Sequence, residues 1–129
     1  MIGLSAPQLG HSVRLIAYQI QDKALIKERN LSKHVPLTFL VNPKIISKSG
    51  IKGELVEREW CESMPQYSGL VKRAEAIHVH ALDLEGKLVD KKYSGLLARI
   101  IQHEMDHLEG INFTDIMEKK SLQHDSLIK

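Results

Sequence analysis

The chain changes character late in its length, where strand-like patterns give way to one amphipathic helix. Upstream, short apolar runs such as Leu37–Val41 and the alternating run Ile77–Ala81 are typical of β-strands. Downstream, apolar residues recur at helical spacing between Gly95 and Gly110, and Ser94 stands where a helix N-cap is expected. Strands followed by one helix favour an α+β fold, with mostly antiparallel sheets packed around that helix.

The length of 129 residues suits a single domain, and we expect residues 1–129 to form it. Hydrophobic residues make up 43% and charged residues 26% of the chain, which excludes disorder along its whole length. The formal net charge of +2 is too small to predict DNA as a partner. No apolar run reaches the roughly 18 residues of a membrane span. Residues 118–129 are polar and are predicted to be a frayed tail.

The chain has a single cysteine, Cys61, and so cannot form an internal disulfide. Its N-terminus lacks the basic region and the long apolar region of a secretory signal. Both features fit a reducing compartment. We therefore expect a cytoplasmic protein, with an organelle as the alternative setting.

The predicted helix carries the pattern His-Glu-x-x-His at residues 103–107. Residues four apart share one helix face, so the imidazoles of His103 and His107 can bind the same metal ion. Glu104 could then reach a water molecule on that ion and act as a general base. The alternative is a pair of surface histidines on an amphipathic helix.

A catalytic metal site needs a third protein ligand and an open position. Downstream, Glu109 lies too close along the helix to fold back, while Glu118, His124 and Asp125 lie in the polar tail. Upstream, Cys61 lies between two glutamates, which is unusual for a core cysteine. One thiolate with two imidazoles would give a site suited to Fe(II), Ni(II), Co(II) or Zn(II).

A third segment, at residues 3–8, consists of small residues that end in Gln8. Small residues let the backbone approach a ligand closely, and the Gln8 amide can donate a hydrogen bond to a developing oxyanion. By itself, a segment of this composition is more often a plain turn.

In their order along the chain, these three segments resemble the peptide deformylase family. The family motifs are Gly-x-Gly-Φ-Ala-Ala-x-Gln, Glu-Gly-Cys-x-Ser and His-Glu-x-Asp-His, and here they read Met1–Gln8, Glu59–Ser63 and His103–His107. Order and separation both match, and the resemblance extends over essentially the whole chain. Ser5 and the run Ala98–Ile101 are closer to the mitochondrial-type subgroup than to the common bacterial one.

The resemblance implies a hydrolase that removes the formyl group from N-formyl-methionyl nascent peptides and releases formate. The family's usual metal is Fe(II), and its implied ligands here are Cys61, His103 and His107. Glu104 would transfer the proton, while the Gln8 side chain and the backbone N–H of Glu62 would stabilise the oxyanion. Arg73 would pair with Glu59 to brace the cysteine strand.

The resemblance also implies a binding surface for the substrate. Gly3 and Leu4 would line the peptide-binding edge, and Leu96 and Ile100 would help to form the methionine pocket. It further suggests the ribosome as a partner, because formylated chains emerge there.

Four features depart from the family pattern. Two are in the first motif, where Met1 replaces the first glycine and Ser5 replaces an alanine. Trp60 stands where the family has glycine, so its indole must point away from the substrate groove or reshape it. The chain also begins inside the first motif and lacks the family's usual N-terminal helix and strand. We expect this start to expose apolar surface and to favour self-association or lower stability.

Two alternatives to a deformylase are a zincin-type metallopeptidase, whose third ligand lies downstream, and a deformylase-like binding protein with reduced or lost activity. Cys61 separates the first from a deformylase, since a zincin would keep its metal without the thiolate. Trp60 and the short N-terminus are the features that favour the second.

Overall fold

The structure is a computed structural model that describes residues 3–6, 13–21, 35–61 and 64–127. The strands within these residues are β1 (Gly3–Ser5), β2 (Leu15–Ile20), β3 (Val35–Cys61), β4 (Met64–Leu82), β5 (Leu88–Ser94) and β6 (Gln123–His124). The helices are α1 (Gly95–Leu108) and the short α2 (Phe113–Ile116), and a 3-10 turn at Asp125–Leu127 follows β6. Neither described helix is long and apolar enough to cross a membrane.

One antiparallel sheet joins the described strands in the order β1-β2-β3-β4-β5, and β6 pairs with β4. The long strand β3 pairs first with β2 and then with β4, and its register against β4 shifts at several points. One shift falls between Ser49 and Glu54, where two closely spaced glycines, Gly50 and Gly53, predict a turn from the sequence. Both glycines have positive φ, 128° and 69°, but the strand continues through them because β4 remains paired on either side.

The turn residues Glu85–Lys87 after the alternating run Ile77–Ala81 predict a hairpin, and the change of apolar phase at Leu82 suggests a bulge. The hairpin between β4 and β5 is present, but the bulge is not. Pairing is regular up to Leu82 and Leu88, and the chain then turns. The Asp83 carboxylate accepts hydrogen bonds from the backbone N–H groups of Glu85 and Lys87, each at 2.9 Å. The change in apolar phase therefore marks the end of a strand rather than a bulge.

Helix α1 packs on the inner face of the sheet and confirms the predicted α+β fold. Its apolar residues join a core that comprises Ile16, Tyr18, Leu40, Ala74, Ile77, Val79, Ala81, Tyr93, Ala98 and Ile101. Ser94 occupies the N-cap position, but its side chain makes no capping hydrogen bond within the described chain. The Gln102 amide fixes the helix on β4, since it accepts from the Ala74 N–H at 3.1 Å and donates to the Ala74 carbonyl at 2.9 Å.

Residues 118–127 do not form the frayed tail that the sequence predicts. The Glu118 N–H donates to the Leu70 carbonyl at 2.6 Å, and the Ser121 hydroxyl accepts from the Leu70 N–H at 3.0 Å. Further along, β6 pairs with Tyr67 and Ser68 of β4. The segment is held because buried peptide groups of β4 need hydrogen-bond partners, which this polar stretch supplies.

Candidate metal centre

Three potential metal ligands converge from two elements of the fold. Cys61 is the last residue of β3, and His103 and His107 lie one turn apart on the buried face of α1. The Cys61 Sγ atom lies 3.4 Å from His107 Nε2, and the ligand atoms of all three residues lie within 4.8 Å of one another. All three side chains are buried. The structure thus brings together the three residues that the sequence singles out as ligands.

Glu59 holds one of these histidines in a fixed orientation. The Nδ1–H of His103 donates to Glu59 Oε1 at 2.9 Å, so Nε2 is the ring nitrogen on the side of Cys61. Phe113 stacks against the same imidazole, with ring centroids 6.5 Å apart and planes inclined by 24°. The ring is therefore constrained both by a hydrogen bond and by packing.

The Glu59 carboxylate is the centre of a buried ionic network. Arg73 donates two hydrogen bonds to it, at 2.9 and 3.0 Å, as the sequence predicts, and Arg99 donates a further one. Arg73 also pairs with Asp106. Burial acts to raise the pKa of Glu59, but hydrogen bonds from His103 and Arg73 outweigh it and lower that pKa to about 2. Glu59 is consequently ionised at neutral pH.

Arg99 is the functional residue that the sequence analysis missed. Its side chain is buried, and it pairs with Glu57 at 2.9 Å in addition to Glu59. It also donates to the backbone carbonyls of Val71 and Leu55. The sequence does contain an indication of this role, because Arg99 precedes His103 by four residues and so shares its helix face. A cation on that buried face requires an anion opposite it.

Glu104 lies beside the cluster with its carboxyl group buried. Burial raises the pKa of this group to about 7, against the opposing effect of the neighbouring histidines. Its Oε1 atom has no hydrogen-bond partner among the described residues. Gly3 of β1 lies against it: a Cβ atom at Gly3 would come within 2.7 Å of Glu104 Oε2 and 2.8 Å of Ile100 Cγ2. The absence of a side chain at Gly3 is what leaves room for the carboxyl group.

The remaining predicted site residues lie in different places. Ile100 contacts the space beside Gly3, whereas Leu4 points to the other side of β1 and is 45% exposed. Leu96 lines a cavity of about 290 Å³ at the beginning of α1. Gln8 and Glu62 lie outside the described residues.

Trp60 points away from the cluster. Cys61 is buried whereas its neighbour Trp60 is exposed, so the indole does not share the buried face of β3 with the thiol. It is 49% exposed, and its Nε1–H donates to Asp125 at 2.7 Å. The sequence leaves open whether the indole points away from the site or reshapes it, and the structure shows that it points away.

The donor set fits a single transition-metal ion. One sulfur and two imidazole nitrogens form three corners of a buried site, and the Glu104 Oε1 atom adds an unsatisfied polar group at its border. The hydrogen bond from His103 to Glu59 resembles the support that metal-binding histidines usually receive. Fold and site together define an α+β domain with a buried group of potential metal ligands beside a buried carboxyl group.

Comparison with known proteins identifies the family. The family model for polypeptide deformylases matches residues 1–123, and the chain therefore belongs to this family, as predicted. A peptide deformylase from Thermomicrobium roseum is 45% identical over 120 residues, which are 93% of this chain and 64% of that protein. Another, from Dictyoglomus thermophilum, is 38% identical over 122 residues, or 95% and 69% of the two chains. The chain thus spans about two thirds of the length of these relatives.

Solved structures agree with the fold. The Met-Ala-Ser-bound class I type b peptide deformylase from Acinetobacter baumannii has a TM-score of 0.77 at 34% identity, and the match covers 89% of this chain and 69% of that one. The Synechococcus elongatus enzyme in complex with actinonin has a TM-score of 0.76 at 39% identity, covering 92% and 59%. Both similarities support the same α+β architecture.

Proposed function

We propose that this chain is a metal-dependent hydrolase that removes the formyl group from N-formyl-methionyl peptides and releases formate. The observation that carries the proposal is the buried cluster of Cys61, His103 and His107 with the Glu104 carboxyl group beside it. Membership of the deformylase family supports the reaction. The Met-Ala-Ser bound to the Acinetobacter relative supports a peptide with an N-terminal methionine.

Cys61, His103 and His107 would hold the ion, which we propose to be Fe(II), with Ni(II), Co(II) or Zn(II) as substitutes. When bound, such an ion supplies Lewis-acid polarisation of a water molecule and of the formyl carbonyl group. Glu59 contributes from outside the cluster, because it occupies Nδ1 of His103 and leaves only Nε2 for the ion.

Glu104 carries the proton transfers of the reaction. Its carboxylate takes a proton from the attacking water, whose oxygen forms a bond to the formyl carbon. The same group then gives the proton to the departing nitrogen as the C–N bond breaks, and formate is released. A pKa near 7 suits both steps, because the group can accept and return a proton at neutral pH. We assign the Gln8 amide and the Glu62 N–H to the oxyanion on the basis of the sequence motifs alone.

The substrate methionine would lie beside the face of α1 that precedes Glu104. Ile100 lies against Gly3, so an apolar side chain next to the formyl group would contact it. Leu96 is one turn earlier on the same face, and Leu4 lies on the neighbouring strand. Such a substrate is made on the ribosome, which remains our predicted partner. The bacterial cytoplasm is the proposed setting, with an organelle as the alternative.

The proposal is tested by measuring formate release from formyl-Met-Ala-Ser after anaerobic loading of the full chain with Fe(II). We expect turnover by the wild-type chain. Glu104→Gln keeps the size of the side chain but removes its basicity, so the rate should fall by about 10²- to 10⁴-fold while metal content stays unchanged. A wild-type chain that binds metal but releases no formate would contradict the proposal and favour a deformylase-like binding protein.

Gly3→Ala tests the position of the Glu104 carboxyl group. The added methyl group would meet Glu104 and Ile100 at under 3 Å, so the carboxyl group must move. Displacement of a catalytic group by about 1 Å can cost roughly 10²-fold in rate, and we expect a loss of kcat of that order. Metal content should change little, since no ligand is touched. An unaltered kcat would show that Glu104 does not act from this position.

A further inference from the structure

A second group of potential metal ligands lies on the outer face of the β4–β5 hairpin. His78 and His80 are two residues apart on β4 and so point to the same side of the sheet. Asp90 lies directly opposite His80 on β5. One donor atom from each of the three residues lies within 4.8 Å of the other two. None of these residues takes part in the network around Glu59.

The three side chains are already oriented toward a common point. The Nε2 atoms of His78 and His80 both face the Asp90 carboxylate; His78 contacts one oxygen, and His80 lies 3.4 Å from the other. The two imidazoles pack edge to face, with ring centroids 5.1 Å apart.

We propose that His78, His80 and Asp90 form a second metal site, which takes a divalent transition-metal ion and Zn(II) in particular. Two imidazoles and one carboxylate are a common ligand set for Zn(II), whereas Mg(II) and Ca(II) prefer sites made of oxygen atoms alone. Tetrahedral zinc bonds of about 2.0–2.2 Å place the donor atoms roughly 3.3–3.6 Å apart. The distance of 3.4 Å from His80 Nε2 to Asp90 already suits such a site, whereas His78 must release its hydrogen bond and move away from the carboxylate. The partial exposure of the two rings allows that adjustment and leaves a coordination position for water.

The site is separate from the candidate centre at Cys61. Val79, between the two histidines, is fully buried and faces the core under α1, so the imidazoles face away from that helix. Lys92 lies opposite His78, and Lys44 lies opposite His80 on β3, both exposed. These ammonium groups oppose the binding of a cation. Removal of one of these lysines should therefore strengthen metal binding, whereas removal of the histidines should abolish it.

The experiment counts metal equivalents at neutral pH by equilibrium dialysis of the full chain against Zn(II), followed by metal analysis. A parallel titration with Co(II) separates the two sites, since only a thiolate ligand gives a sulfur-to-metal charge-transfer band. We expect the wild-type chain to bind two equivalents. His78→Gln/His80→Gln should lose one equivalent and keep the band. His124→Gln is the matched control, because that histidine also lies on a strand and outside both clusters, and it should bind two.

Two further variants complete the test. Cys61→Ala should lose the charge-transfer band and still bind one equivalent of metal. The second site can therefore be measured even if the central site binds no metal. Lys92→Gln should lower the dissociation constant of the second site, whose bound metal gives no charge-transfer band. A wild-type chain that binds only the equivalent with the band would overturn the proposal. So would an unchanged count of two in His78→Gln/His80→Gln.

Discussion

Cys61→Ala will abolish metal binding at the central site and, with it, all measurable formate release. The thiolate is one of three donors, and the two imidazoles that remain do not make a tight site. Replacement removes one atom from a small buried cluster with Val71 and Phe113, so the fold should persist. Metal analysis after anaerobic loading with Fe(II), together with the formyl-Met-Ala-Ser assay, measures both effects. Circular dichroism checks the fold.

The same variant separates a deformylase from a zincin-type metallopeptidase. A zincin would take its third ligand downstream of His107 and would keep its metal in Cys61→Ala. In the described part of the chain, His124 lies against Tyr67 and Asp125 against Trp60, and neither residue belongs to the group formed by His103 and His107. Cys61→Ser serves as a second variant, since a hydroxyl group is nearly the size of the thiol but a poor ligand. Retention of central-site metal by both variants would refute the assignment of Cys61.

Glu59→Gln will lower the stability of the fold more than other single changes in the network. It removes the charge that faces two buried guanidinium groups, those of Arg73 and Arg99. Breaking a buried ion pair costs about 3–5 kcal/mol, and we expect the lower end because Asp106 and Glu57 still face the two arginines. Urea unfolding of the metal-free chain measures this loss.

Glu57→Gln is the matched control for that experiment. Glu57 also pairs with Arg99, but its side chain is 31% exposed, so water can solvate what remains. We expect a loss of about 1 kcal/mol or less. Glu59→Gln should also weaken metal binding by about 10- to 100-fold, because the amide orients His103 less firmly. Equal losses of stability in the two variants would disprove the central position of Glu59.

Sequence patterns within about ten residues were enough to predict the helix and the hairpin, because neighbouring residues alone determine these elements. The bounds of α1, the hairpin after β4 and the shared face of His103 and His107 all follow from periodicity and turn residues. Gly50 and Gly53 show where such reasoning ends. A glycine with positive φ marks a turn or an irregular strand equally well, and the difference depends on whether a partner strand continues alongside.

The ionic network could be predicted only in part, because its members are far apart in sequence. Arg73 and Glu59 are suggested as a pair by the resemblance of the cysteine segment to the family. No such resemblance suggests a partner for Arg99. Helical spacing shows that Arg99 shares a face with His103, but it does not show that this face contacts Glu57 and Glu59. The prediction of a frayed tail was wrong for a related reason. The polar composition from Glu118 onward does not reveal that the peptide group of Leu70 needs hydrogen-bond partners.

The contact between Gln102 and Ala74 also affects how the molecule behaves toward its neighbours in solution. Strand β5 ends opposite Ala76, and β6 then pairs only with Tyr67 and Ser68 of β4. The stretch of β4 between them would otherwise present an open edge, of the kind that recruits strands from other molecules and begins aggregation. At Ala74 the glutamine amide takes the place of the next peptide unit, and at Leu70 residues 118–121 do the same. The helix that carries His103 and His107 therefore also protects the chain against edge-to-edge assembly.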